Sequence, residues 1–190
     1  INFKPHIMPT KKVSESQTTL TELMIPSYAN FGGKVHGGLI LSLMDKVAYV
    51  CATKHAENYC VTASVSGVNF LAPVDVGDLV SLKASVNYVG TSSLIVGIRV
   101  IAENFKEKTI KHTNSSYFTF VSIDDNGKPK KVTGLELTTD QEIRRFALGK
   151  LRKEQKIADS KEFDELEANM DLNSIHLSWT NENCIVSTKR

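Results

Sequence analysis

The sequence has few of the residues that mark disulfide-rich or metal-binding chains. It contains three cysteines in 190 residues, Cys51, Cys60 and Cys184. An odd number of cysteines without metal-ligand spacing argues against a disulfide framework or a structural metal site. This cysteine usage favours a reducing compartment and therefore a cytoplasmic location. Because Cys51 lies within an apolar run, we expect it to be a small core residue.

The sequence also lacks a large net charge and a long apolar run. The net charge is +2, so charge gives no reason to expect binding to nucleic acid or to a membrane surface. The opening residues, INFKPHIMPTKK, contain no apolar segment of the signal-peptide kind. The most apolar stretch, 37–52, is shorter than the about 20 residues that a spanning helix needs, and it carries Asp45 and Lys46. We therefore expect no membrane span.

What remains is the composition of an ordinary globular domain, 41% hydrophobic and 23% charged, with enough residues for a real core. QTTLTELMI has strand-like composition, and the turn-rich PSYANFGGK follows it. The stretch 37–54 lacks proline and is too long for a typical strand, so it predicts a helix buried on most sides. Four strand-like runs come next: CVTASVSGVNF, LVSLKASVNYV, SLIVGIRVIAE and IKHTNSSYFTFVSI.

This order of elements predicts an α+β fold in which an antiparallel sheet wraps around one long central helix. Alternation along LVSLKASVNYV places five side chains on one face: Val80, Leu82, Ala84, Val86 and Tyr88. A charged helix is predicted over 138–161, with Thr139 or Asp140 as its N-cap. We expect one domain over 1–137, followed by a helical extension and tail over 138–190. Within that tail SIHLSW is a candidate for a short strand.

Asp45 ends the apolar run VHGGLILSLMD, where an unpaired buried carboxylate would be costly. At helical spacing it shares a face with small or polar side chains and a few larger ones: Gly38, Leu41, Ser42, Ala48, Tyr49 and Ala52. Small neighbours allow another group to approach closely, and polar neighbours make an acid tolerable. The alternative is an ordinary helix acid that is solvated or paired with a nearby lysine.

Gly37 and Gly38 begin the same helix. The first N–H groups of a helix lack partners and favour negative charge, so a carbonyl oxygen bound there would sit in an oxyanion hole. The alternative is that the glycines only permit a tight turn. Gly37 lies about 12 Å from Asp45 along the axis at about 1.5 Å per residue. Two antiparallel helices around a two-fold axis would bring Asp45 of one subunit to Gly37 of the other, which predicts a homodimer with two composite sites.

These segments resemble the hotdog-fold acyl-CoA thioesterases, in particular the brain-type cytosolic acyl-CoA hydrolases and their single-domain bacterial relatives. The resemblance rests on ANFGGKVHGGLILSLMDKVAYVCATKH, VTASVSGVNFLAPVDVGDLV and VGTSSLIVGIRV. It implies a single hotdog domain that hydrolyses fatty acyl-CoA to free fatty acid and coenzyme A. It implies no metal and no cofactor, because coenzyme A is part of the substrate and product. It also implies assembly as a trimer of dimers.

The resemblance also implies roles for residues near the start of the helix. Asp45 would act as a general base on water or as a nucleophile, and the sequence does not separate the two roles. Asn30 would position the water or the substrate, although asparagine in such a loop is also an ordinary turn residue. Gly37, or Gly38 beside it, would donate its N–H to the thioester oxygen. His36 would either orient the loop or contact the substrate.

Further residues are implied to hold coenzyme A. They lie in three segments: Val68, Asn69 and Phe70; Gly90, Thr91, Ser92 and Ser93; and Arg144 and Arg145. Arginine grips phosphate bidentately, and hydroxyls and amides of a turn suit phosphate or pantetheine. The alternatives are a solvated helix face for the arginines and an ordinary turn for the hydroxyl residues.

Two other functions compete with thioester hydrolysis. A hotdog hydratase or dehydratase would turn over enoyl-CoA, and a non-catalytic acyl-CoA sensor would bind coenzyme A without releasing thiol. The spacing of Asn30, His36 and Asp45 fits the thioesterases better than the hydratases. A sensor would have no need for a buried aspartate.

Overall fold

The structure is a computed structural model that describes residues 9–171 and 182–185. Its elements in chain order are β1 (Thr10–Lys12), α1 (Val13–Ser16), β2 (Thr18–Leu23), a 3-10 turn (Pro26–Tyr28), α2 (Gly37–Ala56), β3 (Cys60–Val65), β4 (Asn69–Phe70), β5 (Leu79–Val89), β6 (Ser93–Asn104), β7 (Thr109–Ser122), β8 (Gly134–Glu136) and α3 (Asp140–Ala168). The predicted strand SIHLSW lies outside the described residues.

Six strands form the main sheet, in the order β2-β5-β6-β7-β3 with β4 also paired to β7. Every neighbouring pair is antiparallel, while β1 and β8 form a separate parallel pair. Helix α2 packs against the inner face of the sheet and buries eight side chains: Ile40, Leu43, Met44, Val47, Ala48, Cys51, Ala52 and His55. They join one core cluster with buried residues of β5, β6 and β7. The predicted wrapping of an antiparallel sheet around one helix is confirmed.

Helix α2 begins at Gly37 as predicted but ends at Ala56 rather than Lys54. Its end is set by Glu57, whose backbone is left-handed with φ of 51° and whose N–H donates to the Thr53 carbonyl at 2.8 Å. Glycine is the usual residue in this conformation, so a glutamate there gave no signal in the sequence.

The predicted strand over residues 60–70 is two strands. The pairing of β3 with β7 shifts between Thr62 and Ser64, and β4 restarts the ladder at Asn69. A bulge of this kind breaks the side-chain alternation. As a result Val65 is exposed and does not join a buried face.

Strand β5 has the predicted bounds, and its buried face includes Val80, Leu82, Ala84 and Val86 as expected. Tyr88 does not continue that face, because the register with β6 shifts between Val86 and Tyr88. Asn87 lies on the opposite face of the sheet beside Ser85 and is buried there, at 6% exposure. Gly97 makes room for it, since a Cβ at Gly97 would lie 2.4 Å from Asn87 Nδ2.

Helix α3 starts with a capping box around Thr139, which confirms that residue as the N-cap. The Thr139 hydroxyl accepts from Glu142 N at 3.2 Å, and Glu142 Oε2 accepts from Thr139 N at 3.1 Å. The helix runs to Ala168, beyond the predicted end at 161. Compact units run over Ile1–Gly149 and Lys150–Arg190, and the predicted domain division after residue 137 stays a prediction.

The three cysteines are free: Cys51 and Cys60 are buried and Cys184 is exposed. Burial raises the pKa of the Cys51 thiol to about 12, as expected for a core residue. Among the described residues, no helix has both the length and the apolarity that crossing a membrane requires.

Candidate active site

Asp45 lies in the middle of α2 and is half-buried. Its Oδ1 accepts a hydrogen bond of 2.9 Å from the hydroxyl of Thr62 on β3. No salt bridge within the described residues involves Asp45, which argues against an ion-paired helix acid. The helix face predicted to carry Asp45 with small or polar neighbours differs from the prediction in one respect: Ala48 and Ala52 are buried in the core. The buried stripe of α2 is therefore wider than the sequence indicated. Asp45 therefore lies at the border of that stripe.

Asn30 lies in the loop before α2 and organises it. Its Oδ1 accepts from the N–H groups of Gly32 at 2.9 Å and Lys34 at 3.2 Å, and its N–H donates to the Lys34 carbonyl at 2.7 Å. The expected turn role is therefore present. Its amide nitrogen forms no hydrogen bond with the residues that the structure describes, so this donor is available to a ligand.

A cavity of about 420 Å³ lies between this loop, the start of α2 and the chain after β4. Its lining residues are Asn30, Lys34, Val35, Gly37, Ile40, Phe70, Leu71, Ala72, Pro73 and Val74. Three predicted site residues thus meet in one place: Asn30, Gly37 and Phe70. The ring of Phe70 packs over Gly37 so closely that a Cβ there would lie 3.1 Å from it.

His36 and the two glycines have distinct roles at the start of α2. His36 is the N-cap, and its Nδ1 accepts from Gly38 N at 2.9 Å. This contact supports a structural role for His36. The Gly38 N–H is engaged by this contact, and its predicted role as an oxyanion donor stays a prediction. The Gly37 N–H has no acceptor in the described part of the chain, which leaves Gly37 as the donor facing the cavity.

One protomer keeps Asp45 apart from the cavity that contains Asn30. On β7, Phe70 pairs with Asn114 whereas Thr62 pairs with Phe120. Asn114 and Phe120 are six positions apart along the strand, which corresponds to about 20 Å at about 3.4 Å per residue. Apolar side chains are exposed on the elements that lie between them: Tyr49, Val50, Val65 and Phe70.

The segments predicted to hold coenzyme A fall in different places. Val68, Asn69 and Phe70 lie at β4, beside the cavity with Asn30. Gly90, Thr91, Ser92 and Ser93 form the turn between β5 and β6, where Ser93 pairs with Val121 and Val121 with Val61. That register groups the turn with Thr62 and Asp45 rather than with Asn30.

The two predicted arginines lie on α3 and do not line the cavity with Asn30. The Phe146 ring packs on Tyr88 of β5 with centroids 5.1 Å apart. Arg145 consequently reaches a second cavity on the outer face of the sheet. Arg144 is exposed and lines neither of the two cavities.

Thr62 is the contact residue that sequence reasoning missed. A threonine in a strand is unremarkable, and its position opposite Asp45 depends on how α2 packs on β3. No local pattern marks it. The structure describes no cluster of three or more His, Cys, Asp or Glu side chains that would suit a metal ion; the expected lack of a cofactor stays a prediction.

Comparison with known proteins gives the fold and site a family. Residues 32–108 match the model of the thioesterase superfamily. Protein VdlD of Helicobacter pylori is 47% identical over 137 residues, which cover 72% of this chain and 78% of that protein. The cytosolic acyl coenzyme A thioester hydrolase of Mus musculus is 34% identical over 142 residues, 74% of this chain but 37% of the longer mouse protein.

Solved structures agree with these relatives. A hexameric acyl-CoA thioesterase superposes with a TM-score of 0.78 at 33% identity, over 80% of this chain and 98% of that one. An acyl-CoA hydrolase from Staphylococcus aureus, solved with butyryl coenzyme A and coenzyme A, has a TM-score of 0.75 at 32% identity and covers 85% of this chain and 100% of that one. Alanine variants of an asparagine, an aspartate and a threonine of that hydrolase have also been solved.

A long helix packed against an antiparallel sheet, with a mostly apolar cavity at the helix start that also contains Asn30 and Lys34, is the architecture of the hotdog fold. The chain belongs to the thioesterase superfamily. The resemblance read from the sequence, the hotdog fold class and the assignment as a thioester hydrolase are thereby confirmed.

Proposed function

We propose that this protein hydrolyses the thioester of fatty acyl-CoA to free fatty acid and coenzyme A, in active sites that two subunits share. One observation carries the shared site: Asp45 with Thr62, and Asn30 with Gly37, lie at separate positions of one protomer. A second copy related by a two-fold axis would bring its Asp45 to this cavity. The exposed apolar side chains around both positions supply a surface for that contact.

In this site the thioester oxygen would accept the Gly37 N–H, which stabilises the negative charge that develops on that oxygen. Asp45 of the partner would take a proton from water while the water oxygen bonds to the thioester carbon. The carbon–sulfur bond then breaks, and the departing thiolate receives a proton to give free coenzyme A. In the alternative, Asp45 attacks the carbon itself and the carbon–sulfur bond breaks, so that coenzyme A leaves as its thiolate and the acyl group is held on Asp45 as an anhydride, which water then hydrolyses to the free acid and the Asp45 carboxylate. The Asn30 amide would orient the water or the substrate.

The solved relatives support this assignment. The asparagine, aspartate and threonine replaced in the Staphylococcus aureus hydrolase are spaced along that chain as Asn30, Asp45 and Thr62 are along this one. That hydrolase binds butyryl coenzyme A, and another relative is hexameric. We accordingly propose a homodimer that assembles as a trimer of dimers. The cytosolic name of the mouse relative supports a cytoplasmic location.

The first experiment measures thiol release from a series of acyl-CoA chain lengths. We expect Asp45→Asn to lose a factor of about 10² or more in kcat, the scale of a lost general base. Asp125→Asn is the matched control, because Asp125 lies exposed in the turn after β7. A folded Asp45→Asn enzyme with wild-type rates would refute the role of Asp45. Binding of coenzyme A by the wild type without thiol release would identify a sensor instead.

The second experiment tests the shared site by mixing two inactive variants. Asn30→Ala and Asp45→Ala subunits are co-expressed in equal amounts. If Asp45 serves the partner's cavity, each mixed dimer retains one intact site, so about a quarter of the wild-type rate returns. If both residues serve the same subunit's site, the mixture stays inactive and the shared site is wrong.

A further inference from the structure

The outer face of the sheet carries a second cavity, of about 440 Å³, whose residues take no part in the bond-breaking steps proposed above; among them only Arg145 was predicted to contact coenzyme A. Its lining residues are Gln17, Thr18, Thr19, Lys83, Ala84, Ser85, Asn87, Gly97, Ile98, Arg99, Ile101, Ser115, Tyr117 and Arg145. The register sets Thr19, Lys83, Arg99 and Ser115 side by side across four strands. Thus one row of the sheet presents two cations flanked by two hydroxyls.

Lys83 and Arg99 are directly opposed on neighbouring antiparallel strands. Cβ atoms of such pairs are about 4.5–5.5 Å apart, and like charges placed there destabilise a sheet. Among the described residues of the cavity lining there is no carboxylate, and no salt bridge described within Ile1–Gly149 involves Lys83, Arg99 or Arg145. The sheet therefore holds a like-charge pair for which the described residues supply no counter-ion.

Arg145 adds a third cation from a different element. The first turns of α3 are held on β5 by the contact of Phe146 with Tyr88. The backbone of α3 at Gly149 also packs directly on Tyr88, since a Cβ at Gly149 would be 2.7 Å from Tyr88 Cβ. This packing fixes the segment that carries Arg145, so its place in the cavity lining follows from the fold rather than from a free side chain.

Asn87 supplies a neutral donor to the same cavity. It lies on the same outer face of β5 as Lys83 and Ser85, and it is only 6% exposed. Its Oδ1 accepts from the Ser85 hydroxyl at 3.1 Å, whereas its Nδ2 has no hydrogen-bond partner in the described chain. A nearly buried amide with an unused donor beside three cations is suited to an oxyanion.

We infer that this outer cavity binds a phosphorylated organic molecule through its phosphate groups. Lys83, Arg99 and Arg145 neutralise the phosphate charge, and the Asn87 amide and the Ser115 hydroxyl complete its hydrogen bonds. The volume exceeds that of a lone phosphate and is in the range of small-molecule sites. The phosphates belong either to coenzyme A, since Ser115 pairs with Asn69 beside the catalytic cavity, or to a separate phosphate ester.

The test is calorimetric titration of the full-length protein with inorganic pyrophosphate in metal-free, low-salt buffer. We expect the double variant Lys83→Gln with Arg99→Gln to bind at least about tenfold more weakly than the wild type, because it loses two charge-assisted contacts. Lys106→Gln, an exposed lysine outside the cavity, controls for the general loss of positive charge. Absence of pyrophosphate binding by the wild type, or equal affinity in the double variant, would overturn the inference.

Two further measurements complete the test. The thermal midpoint of the double variant in low salt should equal or exceed that of the wild type, because the substitutions relieve a repulsion. If the midpoint is lower and binding is weaker, the deciding variant is Gly97→Ala. This substitution displaces the Asn87 amide without removing charge and should also weaken binding. Competition of pyrophosphate with acyl-CoA identifies coenzyme A as the source, and binding without competition identifies a separate ligand. The titration decides the inference even if no thioesterase activity is found.

Discussion

The Thr62 hydroxyl donates to Asp45 Oδ1 at 2.9 Å, and this contact links the second half of the site to the sheet. Helix α2 supplies the carboxylate and β3 supplies the group that orients it. A carboxylate with one fixed oxygen presents the other in a defined direction, which general-base or nucleophilic chemistry requires.

We expect Thr62→Val, which keeps the shape and removes the hydroxyl, to lower kcat by about 10- to 100-fold, the loss of one hydrogen bond to a charged group. KM should change little, because the contact acts on the carboxylate rather than on the substrate. Thr62→Ser retains the hydroxyl and should recover most of the rate. Steady-state kinetics of the three proteins decide this, and equal kcat for Thr62→Val and wild type would show that the contact has no role.

His36→Ala should reduce the free energy of unfolding by about 1 kcal/mol, the usual cost of losing an N-cap. The reason is that Gly38 N loses its acceptor on His36 Nδ1. His36→Asn provides another side-chain acceptor and should restore most of the stability. Urea denaturation at one fixed protein concentration measures the difference; an undiminished free energy for His36→Ala would mean that the cap contributes nothing.

Gly37→Ala should impair activity without reducing stability. The added methyl group would lie 3.1 Å from the Phe70 ring, so it narrows the cavity, while alanine favours the helix more than glycine does. We expect a higher KM for acyl-CoA. Gly67→Ala is the matched control, since a Cβ at Gly67 has no atom within 4 Å. An unchanged KM in Gly37→Ala would place the substrate elsewhere.

His55 should make stability depend on pH. It is buried, with Nε2 hydrogen-bonded to the Thr133 carbonyl and Nδ1 lacking a partner among the described groups. Burial lowers its pKa below the ordinary 6.5, so the unfolded chain binds the proton more readily. The contribution of neutral His55 to the free energy of unfolding is therefore complete above about pH 6.5. It is lost as the pH falls below that value, and the free energy of unfolding then decreases by at most about 1.4 kcal/mol per pH unit.

His55→Gln removes the titrating group and keeps a donor for the Thr133 carbonyl. Its free energy of unfolding should decline less than that of the wild type between pH 7.5 and 5.5, in denaturant titrations at each pH. Parallel pH profiles would assign the acid sensitivity of the protein to other groups.

Sequence patterns predicted the elements whose physical signal is local. The start of the helix after the glycine pair, the alternation in β5 from Val80 to Val86 and the threonine cap of α3 depend on neighbouring residues, and each was found where it was expected. The left-handed Glu57 and the bulges in β3 and β5 were not predictable. The bulges arise from pairing with distant strands, as the space above Gly97 for the Asn87 side chain shows.

The site divides in the same way. Asn30, Gly37 and Phe70 line one cavity. Asn30 and Gly37 are close in sequence, in a short loop and at the start of the helix that follows it. Phe70 is distant in sequence, and only the family resemblance predicted its place in the site. Thr62 and the Lys83–Arg99 pair escaped prediction, because each depends on which residues of separate elements become neighbours. The contact of Gly38 was not predicted either: its N–H donates to the side chain of His36, two residues earlier, and its role as an oxyanion donor stays a prediction.

The state of the three sulfhydryls matters for any assay that follows released coenzyme A with a disulfide reagent. Cys51 and Cys60 are sealed in the interior, and burial raises the pKa of both thiols, so neither offers the thiolate that such reagents consume. Cys184 is exposed, so its thiol reacts with the reagent and adds a background signal from the protein itself. Replacing Cys184 by serine would give an enzyme whose signal reports product alone.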